Sequence, residues 1–113
     1  MCMDISKEEI LRINHGFGGN LRDDSSLDFA LDHIKNKKFG MYKKLAYLWR
    51  AILVDHPFSD GNKRTAAYVA FAFVDGTDKQ VDRDLLEYHI VSIAKNNIHT
   101  IKNIEWRLKN AIR

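Results

Sequence analysis

The chain has 113 residues, of which 45% are hydrophobic, 11% aromatic and 29% charged, and its formal net charge is +3. This composition is typical of one globular domain with a single core, spanning residues 1–113, and it excludes a disordered or low-complexity chain. The basicity is too mild for a dedicated nucleic-acid binder, so we expect no direct nucleic-acid binding.

Neither a membrane span nor an export signal is predicted. The longest apolar run, residues 66–74, is too short to cross a bilayer. The first residues lack the basic and apolar regions of a signal peptide. Cys2 is the only cysteine, which excludes an internal disulfide. We therefore expect a cytoplasmic protein without membrane contact.

The first half of the chain predicts two helices. Ser6 and Glu9 have the spacing of a capping box, which starts a helix over about residues 7–14 that stops at Gly16. A second helix starts at Ser25-Ser26, because the apolar residues that follow repeat at helical spacing, at Leu27, Ala30, Leu31 and Ile34.

Four more helices follow. A third is predicted over about residues 42–55, closed by Pro57. The fourth runs from Asn62 to Gly76 and is hydrophobic nearly all round, so we expect it to be the central, buried helix. A fifth surrounds Leu86–Ala94 and a sixth starts after Thr100. The predicted fold is a compact all-α bundle of about six helices.

The loop before the fourth helix, His56-Pro57-Phe58-Ser59-Asp60-Gly61-Asn62-Lys63-Arg64, contains the candidate functional residues. A helix N-terminus with an adjacent glycine and cations attracts phosphate, which makes Gly61 and residues 62–64 a candidate polyphosphate site. Beside it Asp60 is a candidate magnesium ligand. His56 is a candidate general base, and Phe58 is expected to turn inward as an anchor.

Each of these residues also has an ordinary structural explanation. Histidine before proline often ends a helix, Asp-Gly is a common turn, and Asn is a common N-cap residue. All of these residues together in one short segment are much less expected by chance than any one of them alone. The combination therefore favours the functional interpretation.

The segment resembles the Fic/Doc family loop, His-Pro-Phe-x-Asp/Glu-Gly-Asn-x-Arg. Gly19, residues 21–23, Leu27 and residues 30–31 resemble the preceding part of the Doc (death-on-curing) branch, so the resemblance covers about residues 5–76. It implies an ATP- and Mg²⁺-dependent transferase that modifies a Ser, Thr or Tyr hydroxyl of a target protein. By this resemblance His56 is the base, Asp60 the metal ligand, and residues 61–64 bind phosphate.

Two positions bear on which group is transferred. Lys63 is similar to the Doc branch, which phosphorylates its target, whereas Gly61 is similar to the AMP-transferring Fic branch. We prefer phosphoryl transfer, and AMP transfer is the alternative. The Doc resemblance also implies the toxin of a toxin–antitoxin pair, with a separate antitoxin chain. A catalytically inactive nucleotide- or partner-binding module is the remaining alternative.

Other residues have weaker functional interpretations. Phe39, Gly40 and Met41 fall where family members carry a flap that docks the target, although a plain connection between two helices explains them equally well. The four other histidines are expected at the surface or at helix ends. Trp49, Trp106 and the tyrosines are expected in the core. Arg22 and Asp23 are predicted either to form an ion pair with each other or to brace the active loop, residues 56–64, by contacts with it.

Overall fold

The computed structural model describes residues 5–113 and folds them into six helices. Cys2 lies outside the described residues. Within residues 5–113 there is no β-strand, only isolated antiparallel bridges between Leu21 and Phe58 and between Val81 and Ile112. The prediction of an all-α fold is confirmed. The helices are α1 (Lys7–Gly16), α2 (Ser25–His33), α3 (Met41–Leu53), α4 (Asn62–Val74), α5 (Arg83–Asn96) and α6 (Ile101–Ala111).

Local sequence explains where most helices begin and end. The Ser6 hydroxyl accepts a hydrogen bond from Glu9 N, and the Glu9 carboxylate accepts one from Ser6 N, so the capping box is confirmed. α1 continues to Gly16, two residues beyond the predicted end. α4 ends at Val74, two residues short of the prediction, because the chain turns at Gly76, whose φ is 78°.

The central helix is α3 and not α4. α3 packs against α2, α4, α5 and α6, and seven of its residues are buried: Leu45, Ala46, Leu48, Trp49, Ala51, Ile52 and Leu53. α4 packs against α1, α3 and α5 and leaves Tyr68 52% exposed. The prediction that α4 is the central helix was wrong, because the apolar composition of a helix does not determine how many other helices pack around it. Trp49 joins the two helices, since its indole Nε1 donates to the Ala66 carbonyl at 3.0 Å.

Several expectations about single residues are wrong. Tyr68 and Tyr88 are 52% and 64% exposed, although the tyrosines were expected in the core. His89 is buried, with 6% of its surface exposed, and its Nδ1 lies 3.0 Å from a guanidinium nitrogen of Arg107. Burial, together with the positive charge of Arg107, lowers the pKa of His89. Trp106 is 63% exposed, although it was expected in the core.

No helix within residues 5–113 combines the length and the hydrophobicity that a membrane span requires.

Candidate functional site

The loop between α3 and α4 is closed on itself by Phe58 and Asn62. Phe58 is buried, with 1% exposed, which is the inward orientation expected of an anchor. The Asn62 side chain accepts from Phe58 N at 3.2 Å and donates to Phe58 O at 3.0 Å. This amide therefore holds the loop, and Asn62 is also the first residue of α4, where its backbone N–H has no partner inside the helix.

A second segment, residues 20–23, pairs with the loop as a short extended stretch. Arg22 N and Asp23 N both donate to Pro57 O, at 2.8 and 3.2 Å. Two residues further along the loop, Ser59 N donates to Asn20 O at 2.9 Å. These bonds fix the loop backbone on both sides of Phe58.

Arg22 and Asp23 brace the loop through their backbone and form no ion pair with each other within the described chain. The Asp23 carboxylate instead accepts from Ser25 N at 2.9 Å and from the Ser25 hydroxyl. These hydrogen bonds lower the pKa of Asp23. Of the two roles that the sequence left open, the structure supports the brace.

Asn14 supports the loop from behind, and sequence reasoning missed it. Its side chain is buried, with 1% exposed, and Nδ2 donates to Asp60 O at 2.8 Å and to Thr65 Oγ1 at 3.1 Å. Gly19 leaves the space for this contact, because a Cβ there would lie 2.3 Å from both Asn14 Oδ1 and Asp60 O. One signal was present, since Asn14 stands four residues after Ile10 on the buried face of α1.

The N-terminus of α4 is open. Gly61 occupies the N-cap position with a φ of 73°, a left-handed conformation that suits glycine, and no side chain caps the helix. The backbone N–H groups of residues 62–64 consequently have no partner inside the helix. Gly61 N donates to the Asp60 carboxylate at 2.7 Å. The helix end presents donors and a partial positive charge to whatever lies beside it.

A cleft of about 350 Å³ lies at this helix end. The structure gathers all the predicted loop residues around it except the buried Phe58: His56, Asp60, Gly61, Asn62, Lys63 and Arg64. Phe17 and Ser59 complete the lining and were not predicted as site residues. Phe17 is placed there by the turn that follows α1, and nothing in its local sequence indicated this.

His56 stands at the edge of the cleft in a costly backbone conformation. Its φ is 50°, in the left-handed region, and it is one of two non-glycine residues in the described chain with a positive φ. Such a conformation costs about 1–3 kcal/mol for a side chain with a Cβ. His56 is exposed to solvent.

The charges around the cleft suit an anion with a bound cation. Lys63 and Arg64 are exposed on the first turn of α4, and Asp60 is the one carboxylate among the described lining residues. No group of three or more His, Cys, Asp or Glu side chains within residues 5–113 is arranged to hold a metal. A lone carboxylate beside a phosphate-binding helix end fits Mg²⁺, which is held by one or two carboxylates together with substrate phosphates.

The predicted flap residues lie elsewhere. Phe39 and Gly40 belong to the turns between α2 and α3, Met41 is the first residue of α3, and none of the three lines the cleft as the structure describes it. The Phe39 ring stacks on Tyr47 with a centroid distance of 5.7 Å, and Lys43 lies over its face at 4.4 Å. These contacts place Phe39 in the connection between α2 and α3, and the role of this segment as a flap that docks the target stays a prediction.

Comparisons with known proteins give one match. A protein-family model described as the Fic/DOC family matches residues 4–74, more than half of the chain, and the match includes α1 to α4 and the whole cleft loop. Neither a curated protein nor a solved structure matches the chain.

Proposed function

The chain belongs to the Fic/DOC family, and on that premise we propose that it is an ATP- and Mg²⁺-dependent transferase that phosphorylates a Ser, Thr or Tyr hydroxyl of another protein. Members of the family are typically transferases that modify proteins with part of a nucleotide. One observation carries the proposal: an exposed histidine, a carboxylate and two cations share a single cleft at an uncapped helix N-terminus.

The helix end supports triphosphate binding. Three backbone N–H groups without intrahelical partners, together with the helix dipole, favour an anion at this position. Gly61 has no side chain to keep a phosphate away from the backbone, and Lys63 and Arg64 add two positive charges. Asn62 contributes its backbone N–H while its side chain holds the loop.

Asp60 would hold the magnesium ion together with phosphate oxygens. When bound, the ion would neutralise charge on the phosphates. Asn14 fixes the Asp60 carbonyl, and Gly61 N fixes one carboxylate oxygen, so the position of this residue is set before any ligand arrives. Such preorganisation is what positioning catalysis requires.

His56 would act as the general base. Its imidazole, which lines the cleft, accepts the proton of the incoming hydroxyl. The hydroxyl oxygen then forms a bond to the terminal phosphorus, and the bond from that phosphorus to the bridging oxygen breaks. ADP leaves with the electron pair of that bond. Every other contribution of the protein is positioning and charge stabilisation.

AMP transfer is the second candidate. Gly61, the residue that resembles the AMP-transferring branch, has a φ of 73° and leaves the backbone open to close phosphate approach. In this reaction the hydroxyl attacks the innermost phosphorus and diphosphate leaves. The chemistry depends on which phosphorus lies in line with the hydroxyl, and Lys63 favours the phosphoryl reaction by its resemblance to the Doc branch.

The Doc-like residues further support a toxin restrained by a separate antitoxin chain. We expect growth arrest when the chain is expressed alone and relief of the arrest by His56→Ala. The matched control is His99→Ala, which changes an exposed histidine outside the cleft and should leave the arrest intact. Equal toxicity of His56→Ala would contradict a transfer mechanism.

Mass spectrometry of the modified target identifies the transferred group. We expect the mass of one phosphate on a side-chain hydroxyl. If the mass added to the target is instead that of a nucleoside monophosphate, the reaction is AMP transfer and not phosphoryl transfer. No modification by a folded, nucleotide-binding protein would instead support the inactive binding module.

A further inference from the structure

The Asp60-Gly61 pair brings a carboxyl group into contact with the next backbone nitrogen. Gly61 N lies 2.7 Å from Asp60 Oδ1, to which it donates a hydrogen bond. Because glycine has no Cβ, no side chain on Gly61 keeps the carboxyl group away from this nitrogen. Asp60 is exposed, so water reaches the pair. The contact is close to the arrangement from which an amide nitrogen attacks the carboxyl carbon of the preceding side chain.

Two features of the site stabilise the negative charge that forms when the Gly61 amide loses its proton. Asn14 Nδ2 donates to Asp60 O at 2.8 Å, and this carbonyl oxygen takes up part of the charge of a deprotonated amide. Gly61 is also the N-cap residue of α4, at the positive end of the helix dipole. The helix end that suits a phosphate therefore also favours an anionic intermediate in its own backbone.

We propose that Asp60 and Gly61 form a succinimide, which makes Asp60 a site of spontaneous isoaspartate formation. The Gly61 nitrogen bonds to Asp60 Cγ, the protonated carboxyl group releases its hydroxyl, and the amide proton leaves with it as water. A second water molecule then opens the ring. Cleavage of the bond between Gly61 N and Cγ restores aspartate. Cleavage of the bond between Gly61 N and the main-chain carbonyl carbon of Asp60 gives isoaspartate.

Isoaspartate changes the site in two ways. The main chain then passes through Cβ and Cγ of Asp60, and the longer backbone cannot keep both the Asn14 contact and the Gly61 N-cap position as they are. The remaining carboxylate is attached directly to Cα, so it no longer extends from the turn as the aspartate side chain does. The inference does not depend on the proposed function, but in a transferase the modified residue would be a displaced metal ligand.

The chain contains a second Asp-Gly pair, Asp75-Gly76, which serves as a matched internal control. Both of its residues are exposed, and the φ of Gly76, 78°, is close to the 73° of Gly61. Asp75, however, is the C-cap residue of the same helix, at the negative end of its dipole. Among the hydrogen bonds of residues 5–113, the contact between a glycine N–H and the carboxylate before it occurs at Asp60 and not at Asp75.

The test follows the wild-type chain during prolonged incubation at neutral pH, both folded and in concentrated urea. Isoaspartate at each pair is located by peptide mass spectrometry with electron-transfer fragmentation and quantified by labelling with an isoaspartate methyltransferase. In the folded chain we expect isoaspartate to form about tenfold faster at Asp60 than at Asp75, because only the first pair is held in a near-attack arrangement. In urea we expect the two rates to become similar, because these contacts are lost.

An equal or slower rate at Asp60 than at Asp75 in the folded chain would overturn the inference. A tenfold difference that persists in urea would also overturn it, because the flanking sequence and not the folded structure would then be the cause. Neither result changes the transferase proposal, which label transfer from ATP tests separately.

Discussion

Asn14 gives the sharpest prediction about how the fold supports the site. Asn14→Ala removes a buried amide whose two hydrogens are donated to Asp60 O and Thr65 Oγ1. The Asp60 carbonyl and the Thr65 hydroxyl lose these donors, and water has little access because Asn14 and Thr65 are both fully buried. We expect the turn at residues 60–61 to loosen and the fold to lose stability.

The size of the effect follows from these contacts. Each hydrogen bond contributes about 1 kcal/mol net, and leaving a buried partner unpaired adds about 1 kcal/mol or more. The expected loss is about 2–4 kcal/mol in the free energy of unfolding. For a domain of this size that corresponds to a fall in Tm of about 10 °C or more. Below that Tm, a looser turn should weaken ATP binding more than it slows the chemical step.

Urea unfolding followed by circular dichroism measures the loss directly. Asn96→Ala is the control, because the exposed Asn96 amide donates only to Ser92 within α5, and it should cost less than about 0.5 kcal/mol. Asn14→Asp preserves the size of the side chain but cannot donate as a carboxylate, so it should be as harmful as Asn14→Ala. The reasoning would be refuted if the free energies of unfolding of Asn14→Ala and wild type differed by less than about 0.5 kcal/mol, which is about the error of such measurements.

Three further predictions concern single residues. Gly19→Ala forces a Cβ to 2.3 Å from Asp60 O and should lower the free energy of unfolding, measured by thermal unfolding, by about 1–3 kcal/mol. Gly16 has open space around it at the end of α1, so Gly16→Ala should raise the free energy of unfolding by up to about 1 kcal/mol. The free energy of unfolding of His56→Gly should exceed that of His56→Ala by about 1 kcal/mol, because a positive φ strains a residue with a Cβ but not glycine. Both variants should lack transfer activity, and equal stabilities would show that the backbone at this position is relaxed. Because burial lowers the pKa of His89, its contribution to stability is complete above the unfolded pKa near 6.5 and is lost as pH falls through the folded pKa. His89→Gln should therefore lose less unfolding free energy between pH 7 and pH 5 than wild type does, and an identical pH profile would argue against this linkage.

Much of the fold was predictable because its determinants are local. The Ser6 capping box, the turn at Pro57 and the open start of α4 depend on residues close together in the chain. Burial was less predictable, since it depends on which helices surround another. His89 could have been found, because it lies on the same stripe as Leu86, Ile90 and Ile93, the buried face of α5.

The residues of the candidate site divide in the same way. The sequence predicted the residues from His56 to Arg64 as one group, and the structure gathers them around one cleft because they are consecutive at a helix end. Asn14 and residues 20–23 were harder to predict, since their hydrogen bonds join segments about forty residues apart. Such pairings leave no periodic pattern in the sequence.

The most direct test of the account uses ATP labelled separately in its terminal and its innermost phosphate. The chain is incubated with cell lysate and each label, with His56→Ala and His99→Ala in parallel. We predict that the terminal label becomes attached to a protein with wild type and His99→Ala, and that His56→Ala transfers neither label. Transfer of a label by His56→Ala at the wild-type rate would contradict the assignment of the general base and, with it, the proposed mechanism of the cleft.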